Sequence, residues 1–207
     1  DNLFGDSIVC LDAKTGKHLQ TLVEHDDFIK SITFSPDGKH LASAGFDGKV
    51  IIWDLASGKE EFTLQDPGTQ FFSVAYSPDG RRLFAGEAFA LGIVWDASTG
   101  EKSFTFELTQ GQYGETLFAA AFSPDGKRLV VGNRQGLISI RDANSGKELL
   151  TWRGHLGRVE AISFSPDGNL FATVSEDGSV RMWDAATGLN VLNLPVDGGG
   201  TGDVSFS

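Results

Sequence analysis

Cysteine is nearly missing from this chain, and Cys10, the single one, has no internal partner for a disulfide. Packing and hydrogen bonds must therefore hold the fold, and the expected setting is a reducing, cytoplasmic one. Positive charge is also scarce: 17 Lys and Arg face 28 Asp and Glu, a net charge of −11. Gripping a phosphate backbone needs clustered cations to displace counterions, so nucleic acid is not an expected partner. No apolar run reaches the roughly 18 residues of a membrane helix, so no membrane span is expected. His and Cys show none of the spacings that hold zinc, and the run Gly198-Gly199-Gly200-Thr201-Gly202 lacks the Lys-Ser/Thr of a phosphate loop. No metal or cofactor is expected. The 3.6-residue apolar period of a helix is absent throughout. The chain opens on Asp1 instead of Met, so the native N-terminus is expected to lie upstream and the lack of a signal peptide is uninformative.

Glycine and phenylalanine are abundant, at 26 and 16 of 207 residues, which suggests many turns between short aromatic-rich strands. The turns repeat. Ser-Pro-Asp-Gly occurs at Ser35-Gly38, Ser77-Gly80, Ser123-Gly126 and Ser165-Gly168, with prolines 42, 46 and 42 residues apart. An aromatic precedes each turn: Phe34, Tyr76, Phe122 and Phe164. A second marker ends an apolar run 18 residues after each proline, at Trp53-Asp54, Trp95-Asp96, Arg141-Asp142 and Trp183-Asp184. The extra residues of the longer spacing then fall in the connection around Leu108-Glu115. Within one unit the pattern reads as four strands, Ile29-Phe34, Leu41-Gly45, Val50-Trp53 and Glu60-Leu64, with Asp47-Gly48 as a hairpin turn.

A single four-stranded sheet cannot bury both of its faces; stacking such sheets around an axis does. With the Gly-His pair at Gly154-His155, the repeat period and the Trp-Asp ends, the chain resembles the WD-repeat β-propeller family over essentially its whole length. The expected fold is all-β, a propeller of four-stranded antiparallel blades. Units run over about 23–64, 65–106, 107–152 and 153–193, with partial units at 1–22 and 194–207. Four complete blades with partial ones at either end suggest part of a seven-bladed ring, which needs roughly 290 residues at this period.

The resemblance implies a structural hydrogen-bond tetrad at His25, Ser43, Asp47 and Trp53, and again at His155, Thr173, Asp177 and Trp183. The same residue types could be read as a hydrolase triad. Two copies at identical offsets fit a scaffold better than one active site, so no catalytic residue and no enzyme are expected. The other two units carry Pro67, Ala85, Phe89 and Trp95, and Tyr113, Val131, Gln135 and Arg141, at these positions. They cannot build the tetrad, and Phe89 is expected to plug the gap between blades. Trp152 is expected to pack in an outer strand.

In the family the channel entrance, formed by inter-blade loops and the starts of inner strands, is the usual partner face. Carried over, it comprises Phe28, Lys30 and Phe46; Gln70, Phe72 and Ala88; Thr116, Phe118 and Arg134; and Arg158, Glu160 and Glu176. Clustered aromatics there suggest a protein or peptide site. The expected function is a non-catalytic interaction scaffold that binds a protein or peptide on this rim, within a multiprotein complex. The alternative is a sensor or targeting module of a larger, bacterial-type multidomain protein whose enzymatic domain lies elsewhere.

Overall fold

Turn chemistry cuts the chain at regular intervals. In each Ser-Pro-Asp-Gly turn the serine hydroxyl donates to the aspartate, at 2.6 Å for Ser35 and Asp37 and 2.7 Å for Ser165 and Asp167. The glycine lies at φ near +70°, in the left-handed region that other residues avoid. Asp12, Asp54, Asp96, Asp142 and Asp184 each accept amides two or three residues on, closing the second kind of turn. In a computed structural model, described for residues 6–66, 68–108, 116–195 and 202–206, these turns leave strands of five to seven residues.

The strands run β1 (Ser7–Leu11), β2 (His18–Val23), β3 (Ile29–Phe34), β4 (His40–Gly45), β5 (Lys49–Asp54) and β6 (Lys59–Gln65). They continue with β7 (Phe71–Tyr76), β8 (Arg82–Glu87), β9 (Leu91–Asp96) and β10 (Lys102–Glu107). The last are β11 (Leu117–Phe122), β12 (Arg128–Asn133), β13 (Leu137–Asp142), β14 (Glu148–Arg153), β15 (Val159–Phe164), β16 (Leu170–Ser175), β17 (Ser179–Asp184) and β18 (Asn190–Pro195). Each consecutive set of four from β3 onward forms one antiparallel sheet, and β1–β2 forms a two-stranded one. Among the described residues the helical content is one 3₁₀ turn, Ala88–Ala90.

The sheets stack face to face, and the core lies between them. Ala42, Val50 and Ile52 of the first blade pack on Phe71, Leu83 and Trp95 of the second. Phe84 and Phe106 meet Leu117 and Leu129, and Val130 and Ile140 meet Phe171 and Trp183, at the next two interfaces. Leu22, with Ile8 and Cys10, covers Leu41, Ile51 and Trp53 from the two-stranded sheet. Burying each such aliphatic side chain contributes roughly 1.5–3 kcal/mol, so these layers hold the blades together. Blades approach most closely where glycine replaces a side chain: a Cβ on Gly132 would lie 2.6 Å from Val159 Cβ.

Residues 202–206, expected to begin another unit as a strand, form no ladder. Gly202 instead donates its amide to Glu160 Oε2 at 3.1 Å, so the segment lies against the fourth blade without a neighbouring strand to pair with. The connection at Leu108-Glu115 lies outside the described residues beyond Leu108, as does the glycine run before Gly202.

Candidate binding rim

A β-bulge in every blade builds the rim. The β3–β4 register skips between Ile29 and Ser31, β7–β8 between Phe71 and Ser73, β11–β12 between Leu117 and Ala119, and β15–β16 between Val159 and Ala161. The residues left without a partner are Lys30, Phe72, Phe118 and Glu160. A bulge re-aims a side chain out of the pleat, so all four leave the sheet plane at the same end of their blades. A second backbone bond closes each bulge: Phe46 N to Phe28 O, Ala88 N to Gln70 O, Arg134 N to Thr116 O and Glu176 N to Arg158 O, at 2.9–3.0 Å. Every rim position named from the sequence thus belongs to one three-residue device, repeated four times.

Chemistry varies from blade to blade. Phe46 and Phe72 are 4.9 Å apart between ring centroids, and Phe72 and Phe118 are 5.0 Å apart, both tilted towards edge-to-face packing. Cations close both ends of this ladder. Lys30 Nζ sits 5.4 Å from the Phe46 ring, and the Arg158 guanidinium sits 4.7 Å from the Phe118 ring. Arg158 also reaches Glu160 Oε1 through Nε at 3.0 Å. The three ladder phenylalanines are half-buried, whereas Phe28, Lys30, Gln70, Arg134 and Glu176 are exposed. Thr116 is buried and offers its backbone rather than its side chain.

Phe89 departs from expectation. It does not plug a gap but is 67% exposed, at φ +69° with Ala90 at +61°. The β8–β9 connection lacks the Asp-Gly turn of the first blade, so the left-handed turn falls on side chains that resist it, and Phe89 is pushed out to solvent. Ala90 takes the inward place instead.

The tetrad positions are joined by hydrogen bonds. Trp53 Nε1 donates to Ser43 Oγ at 2.9 Å, Ser43 lies 2.7 Å from His25 Nε2, and His25 Nδ1 lies 2.8 Å from Asp47 Oδ2. The carboxylate only accepts, so His25 carries its proton on Nδ1 and receives the serine proton on Nε2. Trp183, Thr173, His155 and Asp177 repeat the chain at 2.8, 2.7 and 3.0 Å. Both imidazoles are fully enclosed, so no substrate reaches them and the arrangement is a buried strut. Burial pulls the His155 pKa down, favouring the neutral ring. Burial alone would raise Asp177, but bonds from Ser179, the Leu156 amide and His155 lower it to about 2.

Of the other two sets, Pro67 and Tyr113 lie outside the described residues. Arg141 takes the tryptophan place and spans two blades. It stacks 4.3 Å from the Phe106 ring and donates to Gly146 O at 3.0 Å and Glu107 O at 2.8 Å. Trp152 packs between blades, 5.4 Å from Trp183. Among the described residues no group of His, Cys, Asp and Glu is arranged to hold a metal, and no helix is long and apolar enough to cross a membrane.

The family model "WD domain, G-beta repeat" matches residues 16–54 and 146–184. Those stretches end on the two blades that hold a complete tetrad. Actin-interacting protein 1 of Drosophila melanogaster is 40% identical over 48 residues, covering 23% of this chain and 8% of that protein. Proteins of WD repeats are generally interaction scaffolds, and the blades outside the matched stretches keep the same four-strand plan and the same bulge. The chain carries WD repeats, laid out as the blades of a β-propeller.

Proposed function

We propose that this chain is a non-catalytic scaffold that docks a protein or peptide on its rim, with the Phe46-Phe72-Phe118 ladder as the anchor. One observation carries the reading: three aromatic rings in continuous contact across three blades, half-exposed and bracketed by Lys30 and Arg158. Aromatic clusters with a charged border are where binding energy concentrates in protein interfaces. The bulges hold Phe72 and Phe118 on strands, and the bond from the Phe46 amide to the Phe28 carbonyl fixes the turn that carries Phe46, so little ordering entropy opposes docking. Actin-interacting protein 1 is named for its interaction with actin; with the likeness confined to 8% of its length, the partner of this chain is left open.

The test is affinity enrichment from a cell extract with the chain and with a Phe72→Ala, Phe118→Ala double variant of unchanged melting temperature. The expected outcome is a partner that the double variant holds about 30-fold more weakly, the effect of losing roughly 2 kcal/mol of anchor contact. Retention of every captured protein at full strength by the double variant would refute the rim.

A further inference from the structure

At the end of the blades opposite the rim, arginine bolts neighbouring sheets together. Arg82, the first residue of β8, crosses to the third blade. It donates through Nη1 to Ala143 O at 2.6 Å and Asn144 Oδ1 at 2.9 Å, and through Nη2 to Gly126 O at 2.8 Å. Its guanidinium lies 5.5 Å from the Phe122 ring. One blade further, Arg128 holds the same place and donates to Ala185 O at 2.9 Å. The third blade thus presents a guanidinium cradle of two turn carbonyls, a side-chain oxygen and an aromatic face, and the fourth receives Arg128 on the matching Ala185 carbonyl.

The second blade carries this cradle too. The repeat offset places Tyr76 where the third blade has Phe122, Gly80 where it has Gly126, Ala97 where it has Ala143, and Ser98 where it has Asn144. The facing residue of the first blade, however, is His40 rather than arginine. Its imidazole turns back within its own blade, with Nε2 2.9 Å from Glu61 Oε2. The result is a cavity of about 520 Å³ between the first two blades, lined by all four cradle residues and by Asp37, Glu61 and Asp79. Such a volume falls within the roughly 300–1,000 Å³ of small-molecule sites. The serine bonds that close their turns hold Asp37 and Asp79 below the usual carboxylate range, so both are anionic at neutral pH.

We propose that this cavity is a recognition site for an arginine side chain of a partner polypeptide, whose guanidinium takes the place that Arg82 and Arg128 take at the neighbouring interfaces. The fork of donors bridges the Gly80 and Ala97 carbonyls, the Tyr76 ring supplies the cation-π face, and the carboxylates set the sign of the charge. Lysine, a single point charge, cannot span two carbonyls in the same way. The His40–Glu61 contact is half-open to water, so it opposes entry only weakly. The site lies a strand length from the rim, about 20 Å, and does not depend on the rim's function.

Amide NMR titration with N-acetyl-arginine methylamide tests it directly. Saturable shifts at Gly80, Ala97 and Ser98 are expected, with Kd on the order of 1 mM. The lysine analogue should bind about tenfold more weakly. His40→Arg should fill the cavity from within, raise the melting temperature and abolish the shifts. Tyr76→Phe, which copies Phe122, should bind as the parent does, and Tyr76→Leu should bind several-fold more weakly. Absence of saturable shifts, equal binding of the lysine analogue, or unaltered binding by His40→Arg or Tyr76→Leu would each overturn the proposal.

Discussion

At the scale of single residues, two groups of one tetrad contribute to the acid response in different pH ranges. Asp177 titrates at about 2 in the folded chain against 3.8 when free, so the stability it contributes is present above pH 4 and is lost between about 4 and 2. The loss amounts to about 2 kcal/mol at 1.36 kcal/mol per unit. The buried His155 ring resists protonation, so the unfolded chain takes up its proton first and stability also declines below pH 6.5. Urea midpoints measured against pH should show both declines, and Asp177→Asn should shrink the lower one, to which the turn aspartates such as Asp37 and Asp79 also contribute. Asp47→Ala should cost on the order of 1–3 kcal/mol in the same measurement, by leaving the His25 proton without its acceptor. Phe89 works the other way. Its left-handed backbone costs about 1–2 kcal/mol and no buried contact offsets it, so Phe89→Gly should raise the melting temperature.

At the scale of strands, the sequence spoke through its turns. Pro36, Gly38, Asp47 and Gly48 set local backbone geometry whatever surrounds them, and β3 to β6 fall within one or two residues of where those turns place them. The bulges were not legible, because Lys30, Phe72, Phe118 and Glu160 fit an alternating strand as readily as an unpaired residue. Their unpaired state comes from the ladder with the next strand, which no single segment encodes. Phe89 was misread for a related reason: an apolar residue signals burial only when its backbone lets it turn inward. Close approach between strands was equally silent, since Gly132 resembles any other glycine. Gly132→Ala would drive a methyl to within 2.6 Å of Val159 Cβ, and calorimetry should show a loss of about 1–3 kcal/mol.

At the scale of the whole molecule, stability resides in the layers between blades and in the residues that cross them. Arg82→Ala removes three donors and a ring contact from one interface and should cost on the order of 1–3 kcal/mol in chemical denaturation. His40→Ala, which loses only a half-exposed contact, should change stability by less than about 1 kcal/mol. The period and phase of the repeats foretold the blades. They could not foretell which interfaces are bolted, since that depends on one residue per blade reaching the next.

The bulges carry a consequence for how such a surface changes over time. Because Lys30, Phe72, Phe118 and Glu160 stand outside the ladder, strand alternation does not dictate what occupies them; only their neighbours on the rim do. A single codon change there rewrites one position of the proposed recognition face while the strand pairing beneath it stays the same. Rim chemistry can thus be engineered one blade at a time on an unchanged frame.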